Sequence, residues 1–376
     1  MTSLEQGASY RLLTPAGRGA VATIAVWGDG AEAAADRWFE PAFRKTPLSQ
    51  TPIGRIVFGR WSQGAGEEIV ACRRAAGRVE LHCHGGFAAC EQILQGLAKV
   101  GCQHLQDGSA FPTENRLQHE ARHALSQAPT QRVASILLAQ YRGALQNAIL
   151  DVLQKLEQQQ YNSARQTLCD LLQKEAVGLH LTQPWRIVLA GRPNVGKSSL
   201  LNALVGYQRS LAHDQPGVTR DVVTASANWD GWPLELADTA GLRDSDDELE
   251  AAGVQRTQTQ IGNADLVVIV ADASQPWTAY EQRLLETAEK SVIAHNKSDL
   301  APPPWEDRPE GIAVCATEAE GVEPLLQSIT GKLIPEPPSG AVPFTERQFH
   351  RLLRAAEHLG IRTIAEAKRE VKSLLE

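Results

Sequence analysis

Eight consecutive residues constrain this chain most: Gly191-Arg192-Pro193-Asn194-Val195-Gly196-Lys197-Ser198. The apolar run Arg186-Ile187-Val188-Leu189-Ala190 precedes them as a short buried strand, and a helical pattern starts at Lys197. Strand, glycine-rich turn and helix in that order form the P-loop context, in which backbone N–H groups at a helix N-terminus surround phosphates. Lys197 is placed to reach the β- and γ-phosphates, and the Ser198 hydroxyl to ligate Mg²⁺; Asn194, Val195, Gly196 and Ser199 complete the loop. Further strands are expected at 222–229, 234–237, 266–271, 292–295 and 312–315, most separated by helical segments. That alternation predicts an α/β domain with a doubly wound, mostly parallel sheet.

Two more motifs follow at strand ends. Asp238-Thr239-Ala240-Gly241 offers a carboxylate that holds Mg²⁺ through water and, at Gly241, an N–H that senses a γ-phosphate. Asn296-Lys297-Ser298-Asp299 offers a base-reading carboxylate: Asp299 accepts from the guanine ring N–H and its exocyclic amine, whereas adenine leaves it unpaired. Asn296 is expected to brace this loop and the Lys297 stem to pack on the base, with Cys315-Ala316-Thr317 as a looser base-contacting turn. Between the P-loop and Asp238 lies Pro216-Gly217-Val218-Thr219-Arg220-Asp221, where Thr219 is the candidate second Mg²⁺ hydroxyl on a nucleotide-sensitive segment. Motifs in this order and spacing predict a GTPase. Leu242 stands where many GTPases orient water with glutamine, so hydrolysis needs a polar group from elsewhere; Asp244, Asp246, Asp247, Glu248 and Glu250 crowd just downstream.

The flanks differ in character. The first ~110 residues alternate short strands near 21–26, 55–61, 67–74 and 78–83 with a helix at 87–100, a small α+β domain. From 114 to 180, Val133, Leu137, Tyr141, Ala144, Ala148, Val152 and Leu156 fall on one helical face, and no proline lies between Thr130 and Gln183. After a Pro-rich linker at 335–340, Phe349, Leu353, Ala356, Ile364, Ala367, Val371 and Leu374 mark a last amphipathic helix, broken near Gly360. The late helix needs a partner for its apolar face. The economical architecture is therefore an α+β N-terminal domain (1–112), a helical domain (113–183 plus 341–376) and the α/β P-loop domain (184–340) inserted between its halves.

Charge and composition narrow the class. With 37 basic and 44 acidic residues the net charge is −7, which argues against indiscriminate nucleic-acid binding. Residues 115–180 and 344–376 each hold seven Lys/Arg against five Asp/Glu, so both helical arms are locally +2 and compatible with RNA contact. No apolar run is long enough to span a membrane, the start lacks a signal-peptide pattern, and six scattered cysteines do not read as a disulfide framework; the expectation is cytoplasmic. His82 and His84 share a strand face while Cys83 points the other way, and with Cys90 they make no CxxC or HxxxH pair, so a structural strand is preferred to a metal site.

The chain resembles the tRNA-modification GTPase family (MnmE/TrmE). The resemblance rests on Thr14-Pro15-Ala16-Gly17-Arg18-Gly19, on Val79-Glu80-Leu81 through His84-Gly85-Gly86, on the P-loop continued by Ser199-Leu200-Leu201-Asn202-Ala203-Leu204, and on Asp238-Thr239-Ala240-Gly241-Leu242-Arg243. It implies a potassium-activated G domain that dimerises face to face with GTP. K⁺ would be held by the Asn194 side chain and by carbonyls of the loop His213, Asp214, Gln215, Pro216, Gly217 and Val218, taking the place of an arginine finger. The family's water-activating glutamate falls on Glu250. The resemblance further implies a homodimer, tRNA and an FAD-containing modification partner, and a 5-formyltetrahydrofolate site in the first domain that includes Glu80 and, less directly, Arg116. Ala25 replaces an arginine of that site, and the chain ends Ser373-Leu374-Leu375-Glu376 where the family carries Cys-Ile-Gly-Lys. Two readings follow: a divergent tRNA wobble-uridine modification GTPase, or a GTP-dependent switch or scaffold that has lost the modification chemistry and serves another client.

Overall fold

The computed structural model describes residues 7–15, 19–43, 46–62, 66–106, 114–211, 224–238, 259–301, 306, 308–334 and 336–376. The chain divides into two compact units, Met1–Asn115 and Arg116–Glu376.

The first unit is a seven-stranded sheet: β1 (Ser9–Leu12), β2 (Val21–Trp27), β3 (Phe39–Pro41), β4 (Ile56–Trp61), β5 (Glu67–Ala75), β6 (Arg78–His84) and β7 (Gln103–His104), in the order β3-β4-β5-β6-β2-β1-β7. Alternation sets its faces. In β6, Val79, Leu81 and Cys83 are buried while Glu80, His82 and His84 point to the other side. Helices α1 (Ala31–Asp36) and α2 (Phe87–Lys99) cover the apolar face, where Ile93 and Leu97 join Ile24, Val26, Ile69 and Leu81 in one core. Short elements such as β1, β3 and α1 carry too little periodicity to stand out in the sequence.

The second unit opens with helices α3 (Arg116–Ser126), α4 (Gln131–Tyr141), α5 (Ala144–Glu157), α6 (Tyr161–Leu172) and α7 (Glu175–Leu179). The apolar stripe from Val133 to Leu156 is thus carried by two helices. Gly143, at φ 103°, ends the first and begins the second, a left-handed conformation that glycine adopts without a Cβ penalty. The α/β segment follows, with β8 (Trp185–Ala190), α8 (Lys197–Leu211), β9 (Thr224–Trp229), β10 (Trp232–Asp238), β11 (Leu266–Asp272), α9 (Ala279–Thr287), β12 (Ser291–Asn296), β13 (Ile312–Val314) and α10 (Val322–Leu333). The six strands lie in the order β13-β12-β11-β8-β10-β9, all pairs parallel except β9–β10. Both faces are covered. Leu266, Val268 and Val270 of β11 belong to one core, and Val267 and Ile269 to another with Leu284 of α9.

Helices α11 (Glu346–Gly360) and α12 (Ile364–Lys372) close the chain. They separate near Gly360, as the pattern suggests, but Arg362, at φ 62°, is the residue that takes the left-handed conformation. Their packing is specific. α11 lies on α6 and α12 on α5, and Arg347 grips Glu120 with Nε at 2.6 Å and Nη2 at 3.0 Å. Gln140, 2% exposed, donates to Gly340 O (3.0 Å) and accepts from Val342 N (3.1 Å), while Lys174 donates to Ser339 O and Ala341 O. The returning chain therefore has its backbone groups satisfied by side chains of α4 and by Lys174, which follows α6.

The α/β segment touches the same helices through the β9–β10 turn. Asp230 and Gly231, at φ 47° and 75°, link Trp229 to its cross-strand partner Trp232, the two-residue turn that Asp-Gly favours. Thr130, the N-cap of α4, donates its hydroxyl to Gly231 O at 2.5 Å; Arg132 pairs with Asp230 at 2.9 Å and lies over the Trp232 ring.

Candidate nucleotide-binding site

Among the described residues, the carboxyl ends of the parallel strands gather the P-loop, Asp238 and the 296–299 and 315–317 segments, as an open α/β sheet requires. The loop from β8 to α8 is shaped by backbone freedom and close approach. Asn194 has φ 62°, and Gly196 has φ 92°, where an added Cβ would lie 2.3 Å from Asn296 Nδ2. Lys197 is 5% exposed, and its Nζ donates to Gly191 O at 3.0 Å and Arg192 O at 2.8 Å, so its charge is held by loop carbonyls. Asn194, Ser198 and Ser199 are exposed and Val195 is buried.

Asp238, the last residue of β10 and 1% exposed, receives a 2.6 Å hydrogen bond from Ser198 Oγ. Parallel pairing sets this meeting: Asp238 lies beside Leu189 of β8, the strand that leads into the P-loop. Two of the three predicted Mg²⁺ ligands, Ser198 and Asp238, thus converge from different elements. Both are hard oxygen donors, the chemistry that Mg²⁺ selects.

The guanine-reading motif begins where β12 ends. Asn296, 2% exposed, donates to Val195 O (2.8 Å) and accepts from Ala316 N (3.2 Å), tying the P-loop to the 315–317 turn. Lys297, at φ 61°, donates to Asn194 O (2.9 Å) and to Asp272 Oδ2 (2.7 Å). Burial pushes the Asp272 carboxyl up, but the hydrogen bonds from Lys297 and Ser274 outweigh it and hold it below the usual carboxylate range. Ser298 N donates to Val314 O (3.2 Å), and Asp299 is exposed at the site's rim. Cys315 is buried, its thiol 3.3 Å from Thr317 Oγ1.

Comparison with known proteins decides the family. A family model described as 50S ribosome-binding GTPase matches residues 186–297. A Thermus thermophilus protein named tRNA modification GTPase MnmE is 33% identical over 383 residues, covering 93% of this chain and 87% of its own. Proteins of the same name from Geobacillus kaustophilus (32% identical, 76% of this chain and 72% of theirs) and Lactiplantibacillus plantarum (33%, 80% and 73%) are also similar. The chain belongs to the tRNA modification GTPase MnmE family. Its α/β segment is a P-loop G domain with a mixed sheet, and it hydrolyses GTP.

The remaining predicted residues divide in two. His213, Asp214, Gln215, Pro216, Gly217, Val218, Thr219, Thr239, Ala240, Gly241 and Glu250 lie outside the described residues. Glu80 lies in the first unit, where its carboxylate meets Arg78 Nη2 (3.0 Å), Arg74 Nε (3.3 Å) and His82 Nε2 (3.9 Å), opposite Ala25 on β2. His82 also hydrogen-bonds Thr23, His84 pairs with Glu67, and Cys83 is buried on the far face, so these side chains serve separate partners. Sequence reasoning missed three features of the site: the role of Asp272, the Arg192–Glu281 pair, and the Thr278–Glu281 capping box of α9. The last was legible as Thr-x-x-Glu before an apolar run.

Proposed function

We propose that this chain is a potassium-activated, dimer-forming GTPase that acts in tRNA wobble-uridine modification, in the cytoplasm, with an FAD-containing partner. The observation that carries the reading is the meeting of Ser198 and Asp238 at 2.6 Å next to a buried Lys197. Ser198 and Asp238 would hold Mg²⁺, with Thr219 as the further hydroxyl; when bound, the ion screens charge on the β- and γ-phosphates. Asn194 and the loop from His213 to Val218 would hold K⁺. Glu250 would act on the water through hydrogen bonding, since Leu242 has no polar group. Asp299 reads the base, the Lys297 stem packs on it, and Asn296 and Ser298 brace the loop beside the 315–317 turn.

The domain reading supports how GTP state reaches the rest of the chain. We take 1–112 as the N-terminal domain, 113–183 plus 341–376 as the helical domain, and 184–340 as the inserted G domain. The grips of Arg347 on Glu120 and of Gln140 on the linker support pairing of the two helical halves. The Thr130 and Arg132 contacts to the 230–231 turn give the G domain a handle on α4. That hairpin runs between the Thr219 segment and Asp238. Six free cysteines are consistent with a reducing compartment, and no described helix is long and apolar enough to cross a membrane.

A second reading, a GTP-dependent switch that has lost modification chemistry, is favoured by one observation. Glu80 is engaged by Arg78 of its own strand and Arg74 of the adjacent β5, and it faces Ala25, where 5-formyltetrahydrofolate would need a basic partner. The experiment is GTP hydrolysis in KCl and NaCl at equal ionic strength, with tRNA and folate binding alongside. Faster turnover in K⁺ with tRNA bound supports the first reading. Equal rates overturn the potassium assignment, and absence of both tRNA and folate binding overturns the modification role.

A further inference from the structure

The P-loop is braced on its base side by Asn296 and Lys297; a separate brace holds its other end. Gly191 is pressed against β11, where an added Cβ would lie 2.2 Å from Val270 O. Arg192, the next residue, turns its side chain away from the phosphate loop toward the start of α9. There Arg192 Nε donates to Glu281 Oε1, and Nη2 donates to Pro276 O at 3.2 Å. Glu281 is 0% exposed, yet it is the third residue of α9 and faces the loop rather than the solvent. Its other oxygen accepts from Thr278 N (3.1 Å) and from the Thr278 hydroxyl, closing the capping box. A buried carboxylate without partners is costly. Glu281 is fully supplied with donors, and these hold it below the usual carboxylate range against the upward push of burial.

The consequence runs through the backbone. The carbonyls of Gly191 and Arg192 are the two that accept from Lys197 Nζ. Their directions depend on the Arg192 peptide, and the Arg192 side chain is fixed by Glu281 and Pro276. The same 272–278 connection is tied to the base side by Lys297 on Asp272 and by Arg308 on Gln275 O (2.8 Å). One stretch of chain thus links both ends of the P-loop.

We propose that Glu281 and Arg192 form a positioning pair for nucleotide binding, setting the carbonyls that hold Lys197 where the β- and γ-phosphates arrive. The inference rests on reading 191–198 as the phosphate loop. Both side chains are engaged with each other and with the 276–278 stretch.

The test is GTP and GDP affinity of the full chain carrying Glu281→Gln, Arg192→Gln, and both, with melting temperature and turnover measured on the same samples. Glu281→Gln keeps an acceptor for Thr278 and loses the charge on Arg192. Each single variant is expected to weaken GTP and GDP about tenfold, and the double variant no more than either, the mark of one coupled unit. The loss of affinity should appear as a raised KM for GTP. Arg192→Lys, which keeps the charge but not the fork, should recover part of the affinity. A Glu281→Gln protein that melts lower but binds GTP like wild type would reduce the pair to a helix cap and overturn the proposal. So would Arg192→Gln weakening binding where Glu281→Gln does not. If wild type itself failed to bind GTP, the reading of the loop would fall instead, independently of Glu281.

Discussion

The two ends of this chain hold carboxylates in opposite circumstances. Asp238 ends β10 and is met by Ser198 from another element, and Asn296 joins the P-loop from β12. Glu80 sits mid-strand and is met by Arg78 and Arg74 and lies near His82, all within a few residues of it. The first arrangement exists only because the sheet brings distant segments together. The second is a local charge cluster that one β-hairpin, β5–β6, makes by itself. A site assembled from separate elements signals function more strongly than a charged residue satisfied by its neighbours.

The largest effects should fall at the assembled site. Lys197→Ala is expected to cost roughly a hundredfold or more in GTP affinity, measured by calorimetry, because charge-assisted hydrogen bonds are lost. Asp299→Asn should collapse discrimination between GTP and other nucleotides by a comparable factor, read by competition, since its acceptor geometry is what guanine matches. Either variant binding GTP normally would break the comparison. Glu250→Ala should abolish turnover and leave GTP binding intact; normal turnover would mean another group activates the water.

Smaller effects test the scaffold between the two ends. Gln140→Leu strands Gly340 O and Val342 N, and should destabilise the protein by about 1–3 kcal/mol in urea denaturation. Acid should act through Asp265, Asp272 and Glu281, all held below the ordinary carboxylate range despite burial. Asp265 accepts from His180, which stacks on Trp185, and from Arg186 N. Because their folded pKa values are depressed, their stabilisation is fully present above the unfolded value of about 4 and is lost as pH falls through the folded values. A denaturation midpoint that stays flat from pH 5 to 3 would contradict this. Glu80→Gln should leave GTP affinity and turnover unchanged, the smallest effect and the clearest contrast with Asp238.

How much of this was legible in the sequence follows from how local each signal is. The P-loop, Asp238 and Asn296 motifs carry their own spacing and their own strand ends, so the nucleotide site was readable. The doubly wound segment was readable for the same reason: β8, β11 and β12 are built on the apolar runs 187–190, 266–271 and 292–294. The stripe from Val133 to Leu156 concealed a helix boundary, because Gly143 falls between two stretches that keep one apolar face. The long-range pairings of Asp272, Glu281 and Glu120 could not be found this way. Their partners Lys297, Arg192 and Arg347 are distant in sequence, and only packing supplies them.

The account is tested most directly by hydrolysis of GTP and ATP, side by side, by the purified chain in buffer containing KCl and MgCl₂. Turnover of GTP with ATP left uncleaved is the predicted result. Failure to cleave GTP, or equal cleavage of both nucleotides, would contradict it.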